Sequence, residues 1–212
     1  MIGEFASYII HDLKNPLSGL HLLTDGLHRK IPENDPMKRY STEILIATQK
    51  LQEFVGRTLD IARPSTINKQ QININELVET AITEIQFDSI KVQKSYDPAI
   101  PEMQGDSQIL TMAIKNLLTN AAEAITSKGS ITVETKWTDK INIIISDTGI
   151  GIPKNRIGSI FRPFFSMKSS GHGLGLAMVK KAVIMHHGTI KVDSEKGIGS
   201  TFRVILPKVI LD

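Results

Sequence analysis

His11 stands in the run Ile10-His11-Asp12-Leu13-Lys14-Asn15-Pro16-Leu17. An imidazole nitrogen can attack a phosphorus centre, and a neighbouring carboxylate such as Asp12 can hold the ring's other N–H and fix its tautomer. Asn15 lies at i+4 from His11 and shares its face on a helix. One exposed histidine is usually only a solvated side chain, so this run needs company. It comes in Asn116-Leu117-Leu118-Thr119-Asn120-Ala121-Ala122-Glu123-Ala124, where Asn116, Asn120 and Glu123 fall on one helical face and Leu117, Ala121 and Ala124 on a packed one. Asp147-Thr148-Gly149-Ile150-Gly151 follows an apolar run: a carboxylate at a strand end can accept an amine, and glycines let backbone approach a flat ligand. A calcium loop would need further carboxylates, and none follows until Asp193. Gly171-His172-Gly173-Leu174-Gly175-Leu176 opens a helical pattern, and free N–H groups at a helix start can hold an anion. It is neither the dinucleotide fingerprint nor a Walker A loop. The aromatic cluster Phe161-Arg162-Pro163-Phe164-Phe165 lies between the last two motifs.

The elements that must position these residues change in character near Arg63-Pro64. Before that point Ile10, Leu13, Leu17, Leu20 and Leu27 form one amphipathic stripe, and Ile44, Ala47, Thr48, Leu51, Val55 and Leu59 form another beyond a Pro-rich break at 31–36. Two such helices make an antiparallel hairpin with an apolar stripe that it cannot cover alone. Pairing two hairpins into a four-helix bundle covers it, so a homodimer is expected. After Pro64, strand patterns at 72–74, 90–93, 131–136, 141–146, 189–192 and 201–206 mix with helical patterns at 75–86, 107–125 and 174–187. Residues 138–140 read as a hairpin turn, and Gly188 as the glycine closing the last helix. The fold class is therefore α+β: a helical hairpin over 1–64, a linker over 65–71, and an α/β sandwich with one mixed sheet over 72–212.

Composition narrows the function. The 212 residues are 41% hydrophobic, which excludes a disordered polar chain. No cysteine is present, so thiol nucleophiles, disulfides and Cys-ligated metals are excluded. No apolar run reaches the ~20 residues of a membrane helix, and a signal peptide is not seen. The fragment is expected to be cytoplasmic and without membrane contact of its own, while a longer parent has room for an anchor and a sensor. The net charge of +3 is unevenly placed. Residues 1–64 are balanced, but from Thr148 to Val192 there is no acid and there are seven basic residues, among them Lys154, Arg156 and Lys168. Such a stretch suits an anionic partner. A nucleotide phosphate tail fits better than nucleic acid, because no aromatic-interleaved basic patch accompanies it.

Taken in order, these motifs resemble the phosphoacceptor box, N box, first glycine box, phenylalanine box and second glycine box of bacterial sensor histidine kinases. Gly197-Ile198-Gly199-Ser200-Thr201 is similar to the last small glycine box, and Phe164-Phe165-Ser166-Met167-Lys168 to the nitrogen-regulatory-like subgroup. The resemblance covers essentially the whole chain. It implies a sandwich of the histidine kinase/gyrase/chaperone ATPase type, ATP and Mg²⁺ as cofactors, and a response-regulator receiver domain as partner. By position, His11 would be phosphorylated, Asp12 would orient or deprotonate it, and Asn15 would help place a hydrolytic water for phosphatase activity. Asn120 would coordinate Mg²⁺ with support from Asn116. Asp147 would bind adenine with Gly149 and Gly151, and Lys168 with Gly171, Gly173, Gly175 and Leu176 would reach the phosphates. Related gyrase-type ATPases place Glu at position 116, so the amide there disfavours plain hydrolysis. The competing expectation is a dimeric ATP-binding scaffold or ATP-driven clamp without phosphotransfer.

Overall fold

The computed structural model describes residues 2–62, 66–87, 89–168 and 172–208, with the side chains of 2–12, 53, 57 and 59–62 outside the description. The chain divides into two compact units, Met1–Ser65 and Thr66–Asp212.

The first unit is an antiparallel pair, α1 (Ile2–Lys30) and α2 (Met37–Ala62). Pro16 lies inside α1 and withholds one backbone N–H from its ladder. The connection is held by side chains. Asp35 Oδ1 accepts from Met37 N, and Lys38 Nζ donates to the His28 and Ile31 carbonyls left open at the end of α1. The helices meet through Thr24, Ser41 and Thr48, all buried, with His21 and His28 beside them. Thr48 and Ser41 use their hydroxyl protons on the Leu45 and Lys38 carbonyls. His21 Nδ1 and His28 Nδ1 are therefore the donors in their contacts with these hydroxyls, at 3.3 and 3.0 Å. Most of the apolar stripe stays open: Leu20, Leu27, Ile44 and Leu51 are exposed, and only Val55 among its described members is a buried apolar side chain.

The second unit begins with β1 (Gln70–Ile72), which pairs antiparallel with β3 (Met103–Gly105) as a separate two-stranded sheet. The strand pattern at 72–74 is thus displaced: Ile74 already belongs to α3 (Ile74–Thr83). Asn73 decides this, because its side chain accepts from Asn75 N and Glu76 N while Glu76 accepts from its amide. Such a cap overrides the short Ile-Asn-Ile alternation. The main sheet has the order β2 (Ile90–Tyr96), β4 (Gly129–Trp137), β5 (Ile141–Asp147), β7 (Gly199–Leu206), β6 (Thr189–Glu195). Only β2 and β4 run parallel among these neighbours. The turn at 138–140 forms as expected, with Trp137 opposite Ile141.

Central β5 is buried almost throughout, with Ile143 opposite Val204 and Ile145 opposite Phe202. β-branched side chains suit such a pleated interior. The core is covered by α3 and by α4 (Ser107–Ala124), which turns Leu110, Ile114, Leu117 and Leu118 inward. α6 (Gly175–Met185) adds Val179, Ala182 and Val183. A short helix, α5 (Lys154–Ile157), interrupts the long stretch between β5 and α6. α6 ends one residue earlier than Gly188 suggests. His187 takes the left-handed conformation at φ 53°, and Gly188 N donates to Val183 O behind it. This is a Schellman ending with histidine in the usual glycine place. Gly188 is needed for space instead, since a Cβ there would come within 2.6 Å of the Ile205 carbonyl.

Candidate nucleotide site

The site is organised on α4. Asp106 starts the helix, its Oδ1 accepting from Ile109 N and its Oδ2 from Asn68 N. Burial of the leucine face turns Asn116 and Asn120 to a half-exposed face and Glu123 to an exposed one. Asn116 Nδ2 donates to Met112 O, which leaves its Oδ1 directed outward. The first turn of α6 lies against these amides. A Cβ on Gly175 would sit 3.1 Å from Asn116 Oδ1 and 3.9 Å from Asn120 Nδ2. Leu174, the residue before α6, gives no side-chain cap to the first turn of α6. Leu176 is half-buried and packs on the core.

The far end of α4 meets the Asp147 loop. Ile150 N donates to Ala124 O at 3.0 Å, and Gly149 passes so close that a Cβ would stand 2.5 Å from the same carbonyl. Gly151 has φ +63° and leaves no room for a side chain against the Glu195 carbonyl. The turn between β6 and β7 closes over this loop: Gly197 N donates to Ile150 O, and Ser194 Oγ accepts from Ile152 N. Asp147 is buried, with Oδ1 accepting from Gly149 N at 2.8 Å. Burial pushes its carboxyl above the usual range. Bonds from Gly149 and Ser200 and the charge of Lys168 pull the other way.

The segment that follows α5 is anchored by aromatics. Phe161 and Phe165 pack on the core, while Phe164 is exposed at φ +65°. Gly173, at φ +67°, runs against the Phe164 and Phe165 backbone. Arg156 lies over the Phe165 ring and Lys180 over Phe161, about 6 Å from each centroid. Lys168 pairs with Glu123 Oε2 across to α4.

Asn116, Asn120, Asp147, Gly149, Gly151, Gly173, Gly175 and Leu176 therefore gather around one helix and its neighbouring loops, with Lys168 tied to that helix. Gly171 lies outside the described residues. Asn15 is exposed on α1; His11 and Asp12 fall in the same helix, with side chains outside the description. Sequence reasoning did not single out Ser194 or the Ala124 carbonyl. Ser194 acts through its hydroxyl and Ala124 through its carbonyl, each on backbone far away in sequence, so no local pattern marks either. The pairing of Glu123 with Lys168 had one faint signal, the position of Glu123 on the asparagine face.

Residues 105–210 match the family "Histidine kinase-, DNA gyrase B-, and HSP90-like ATPase", and residues 1–67 match "His Kinase A (phospho-acceptor) domain". The sensor histidine kinase ZraS of Salmonella typhi is 30% identical over 214 residues, covering 98% of this chain and 46% of that protein. The chain thus spans less than half the length of this relative. Full-length ShkA, solved in complex with AMPPNP, superposes with a TM-score of 0.85 at 20% identity, covering 98% of this chain and 46% of that one, and shares the fold. The mycobacterial sensor histidine kinase MprB superposes at 0.61 with 27% identity, over 68% of this chain and 99% of that one. With the ATPase match filling half of the sequence and the phospho-acceptor match preceding it, the chain belongs to the histidine kinase-, DNA gyrase B- and HSP90-like ATPase family.

Proposed function

We propose that this chain is the catalytic core of a sensor histidine kinase, which binds ATP in the α/β unit, phosphorylates His11 and passes the phosphoryl group to an aspartate of a receiver domain. The observation that carries the nucleotide reading is the placement of Gly175 on the Asn116 and Asn120 amides, with buried Asp147 on the loop that meets the C-terminal end of the same helix. One helix thereby spaces the two chemically different ends of a nucleotide.

The donor set fits the ligand. Asp147 can accept an adenine amine where burial keeps water from competing. The Gly173–Gly175 backbone and the first turn of α6 suit phosphate oxygens. Amide oxygens of Asn120 and Asn116 are hard ligands that suit Mg²⁺, which when bound supplies charge neutralisation on the phosphates. Lys168 offers a further positive charge once released from Glu123.

In the transfer, a ring nitrogen of His11 uses its lone pair to form the N–P bond as the bond from γ-phosphorus to the bridging oxygen breaks and ADP leaves. Asp12 holds the proton on the other ring nitrogen. Catalysis is then mostly positioning and charge neutralisation. The phosphoramidate is labile enough to pass to a carboxylate. Asn15, exposed one residue before Pro16, would place water for the reverse, dephosphorylating role. The open leucine and isoleucine surface of the hairpin supports a homodimer that closes a four-helix bundle.

The test is labelling with MgATP. The reading expects acid-labile, base-stable phosphate on the parent chain and none on His11→Gln or Asn120→Asp. Equal labelling of His11→Gln overturns the acceptor assignment. Heterodimers of the two variants show whether transfer runs within or between protomers.

A further inference from the structure

α4 and α6 touch at both ends. At one end lies the contact of Gly175 with the asparagine amides. At the other lies His186, which ends α6 and is wholly buried. His186 Nε2 accepts the Asp106 backbone N–H at 2.9 Å, and Nδ1 stands 2.7 Å from the Ala182 carbonyl. An accepting Nε2 puts the ring's single proton on Nδ1, which donates to Ala182. The neutral ring in this tautomer satisfies both helices at once. It also fits against Gly105, where a Cβ would come within 3.0 Å of the ring. The 11 residues of α6 hold this bridge about 16 Å from the glycine turn.

We propose that His186 is a positioning residue: its neutral ring sets the register of α6 along α4 and thereby holds the first turn of α6 on the Asn116 and Asn120 amides. The inference rests on the nucleotide reading above and adds a distant residue to it. Both helices bury alanines, Ala113 and Ala121 on α4 and Ala177 and Ala182 on α6. Such short side chains interlock weakly along a helix axis, so a directional hydrogen bond at one end matters for the register.

Protonation would undo the bridge. A second ring proton on Nε2 would face the Asp106 N–H, donor against donor. Burial disfavours the charged ring and moves its titration below the ordinary histidine range. The Ala182 carbonyl and the Asp106 carboxylate favour the charge, and His187 opposes it. These are the groups that bear on the ring from α4 and from the end of α6.

The experiment follows a fluorescent ATP analogue binding to the full chain from pH 7.5 to 5.5, beside His186→Gln and His186→Leu. Glutamine can accept from Asp106 and donate to Ala182 without titrating, so it also controls for protonation of the nucleotide. The expected result is near-parent affinity for His186→Gln at pH 7.5, with an extra acid-side loss of roughly three- to tenfold in the parent alone, the scale of one buried hydrogen bond. His186→Leu should bind more weakly at every pH and exchange its amide hydrogens faster at 175–178. Identical pH profiles for the parent and His186→Gln overturn the proposal, as does unchanged exchange at 175–178 in a folded His186→Leu. If His186→Leu does not fold, the glutamine comparison decides. If the parent binds no nucleotide at pH 7.5, the nucleotide reading has failed. The inference is then judged on exchange at 175–178 and on the ring tautomer by nitrogen NMR: an Nε2–H tautomer at neutral pH overturns it.

Discussion

Leu118, Ile131 and Ile143 in the α/β unit keep at most 1% of their surface in contact with solvent, whereas Leu22 and Leu23 on the hairpin keep more than 70%. The hairpin spends its inward face on Thr24, Ser41 and Thr48. One unit completes its core within the chain, and the other presents its apolar residues outward. The histidines follow the same division. His21 and His28 donate to hydroxyls at the helix contact, an arrangement that a protonated ring can keep. His186 accepts a backbone N–H, an arrangement that a protonated ring cannot keep. A unit that depends on a second surface tolerates polar, adaptable contacts inside. A unit that holds a ligand needs contacts with one geometry.

Several substitutions would break this contrast if the outcomes came out reversed. The largest expected effect is functional: His11→Gln should reduce phosphate incorporation to background while leaving nucleotide affinity unchanged, as read by labelling and by titration of an ATP analogue. Leu118→Ala, inside the closed core, should cost about 2–5 kcal/mol in denaturant unfolding, and Leu22→Ala in the same assay should cost little unless a dimer covers it. Leu23→Glu should convert a dimer to a monomer in sedimentation while the unfolding of the α/β unit stays unchanged. A dimer that survives Leu23→Glu would remove that residue from the bundle seam.

Asp147→Asn separates binding from stability. It removes a buried charge while keeping an oxygen for Gly149 N, so the melting temperature should hold or rise. Affinity for the ATP analogue should fall roughly tenfold or more, the loss of a charged hydrogen bond. The smallest of the larger effects concerns pH. The folded-state pKa of His186 is depressed, so its contribution to stability is present above the ordinary histidine value and is lost as pH falls below it. Unfolding of the α/β unit should become easier below about pH 6.5, and His186→Gln should flatten that slope. At the bottom of the scale, Arg39→Ala removes an exposed i,i+4 pair with Glu43 and should change stability by less than about 0.5 kcal/mol.

Much of the candidate site was legible before any fold, because its members are chemically distinctive. Asn116 and Asn120 recur at helical spacing beside buried leucines, and Asp147 with its two glycines follows an apolar strand. Elements with strong periodicity were legible too: the two long helices, the 138–140 turn and the Ile-rich strand before Asp147. The misplacements came where one local bond outweighed a short pattern. Asn73 capped α3 and moved a strand, and His187 took the left-handed turn expected next to it at Gly188. β3 is three residues long, with alternation too short to recognise, and exists because β1 pairs with it.

By itself the sequence determined residue types and their order: a histidine beside an aspartate and no cysteine, two asparagines on one helix face, an acid-free stretch with seven cations, and a hairpin with more apolar surface than it can bury. These follow from spacing and composition, which are properties of the chain alone. Only the tertiary structure decided that Gly175 rests on the asparagine amides, that the Ala124 carbonyl ties α4 to the Asp147 loop, and that Lys168 reaches Glu123. It also decided that His186 closes the far end of the same helix pair. Each of these contacts joins positions far apart in sequence through backbone groups or buried space, and neither a carbonyl's direction nor the room beside a glycine is written in a residue's identity.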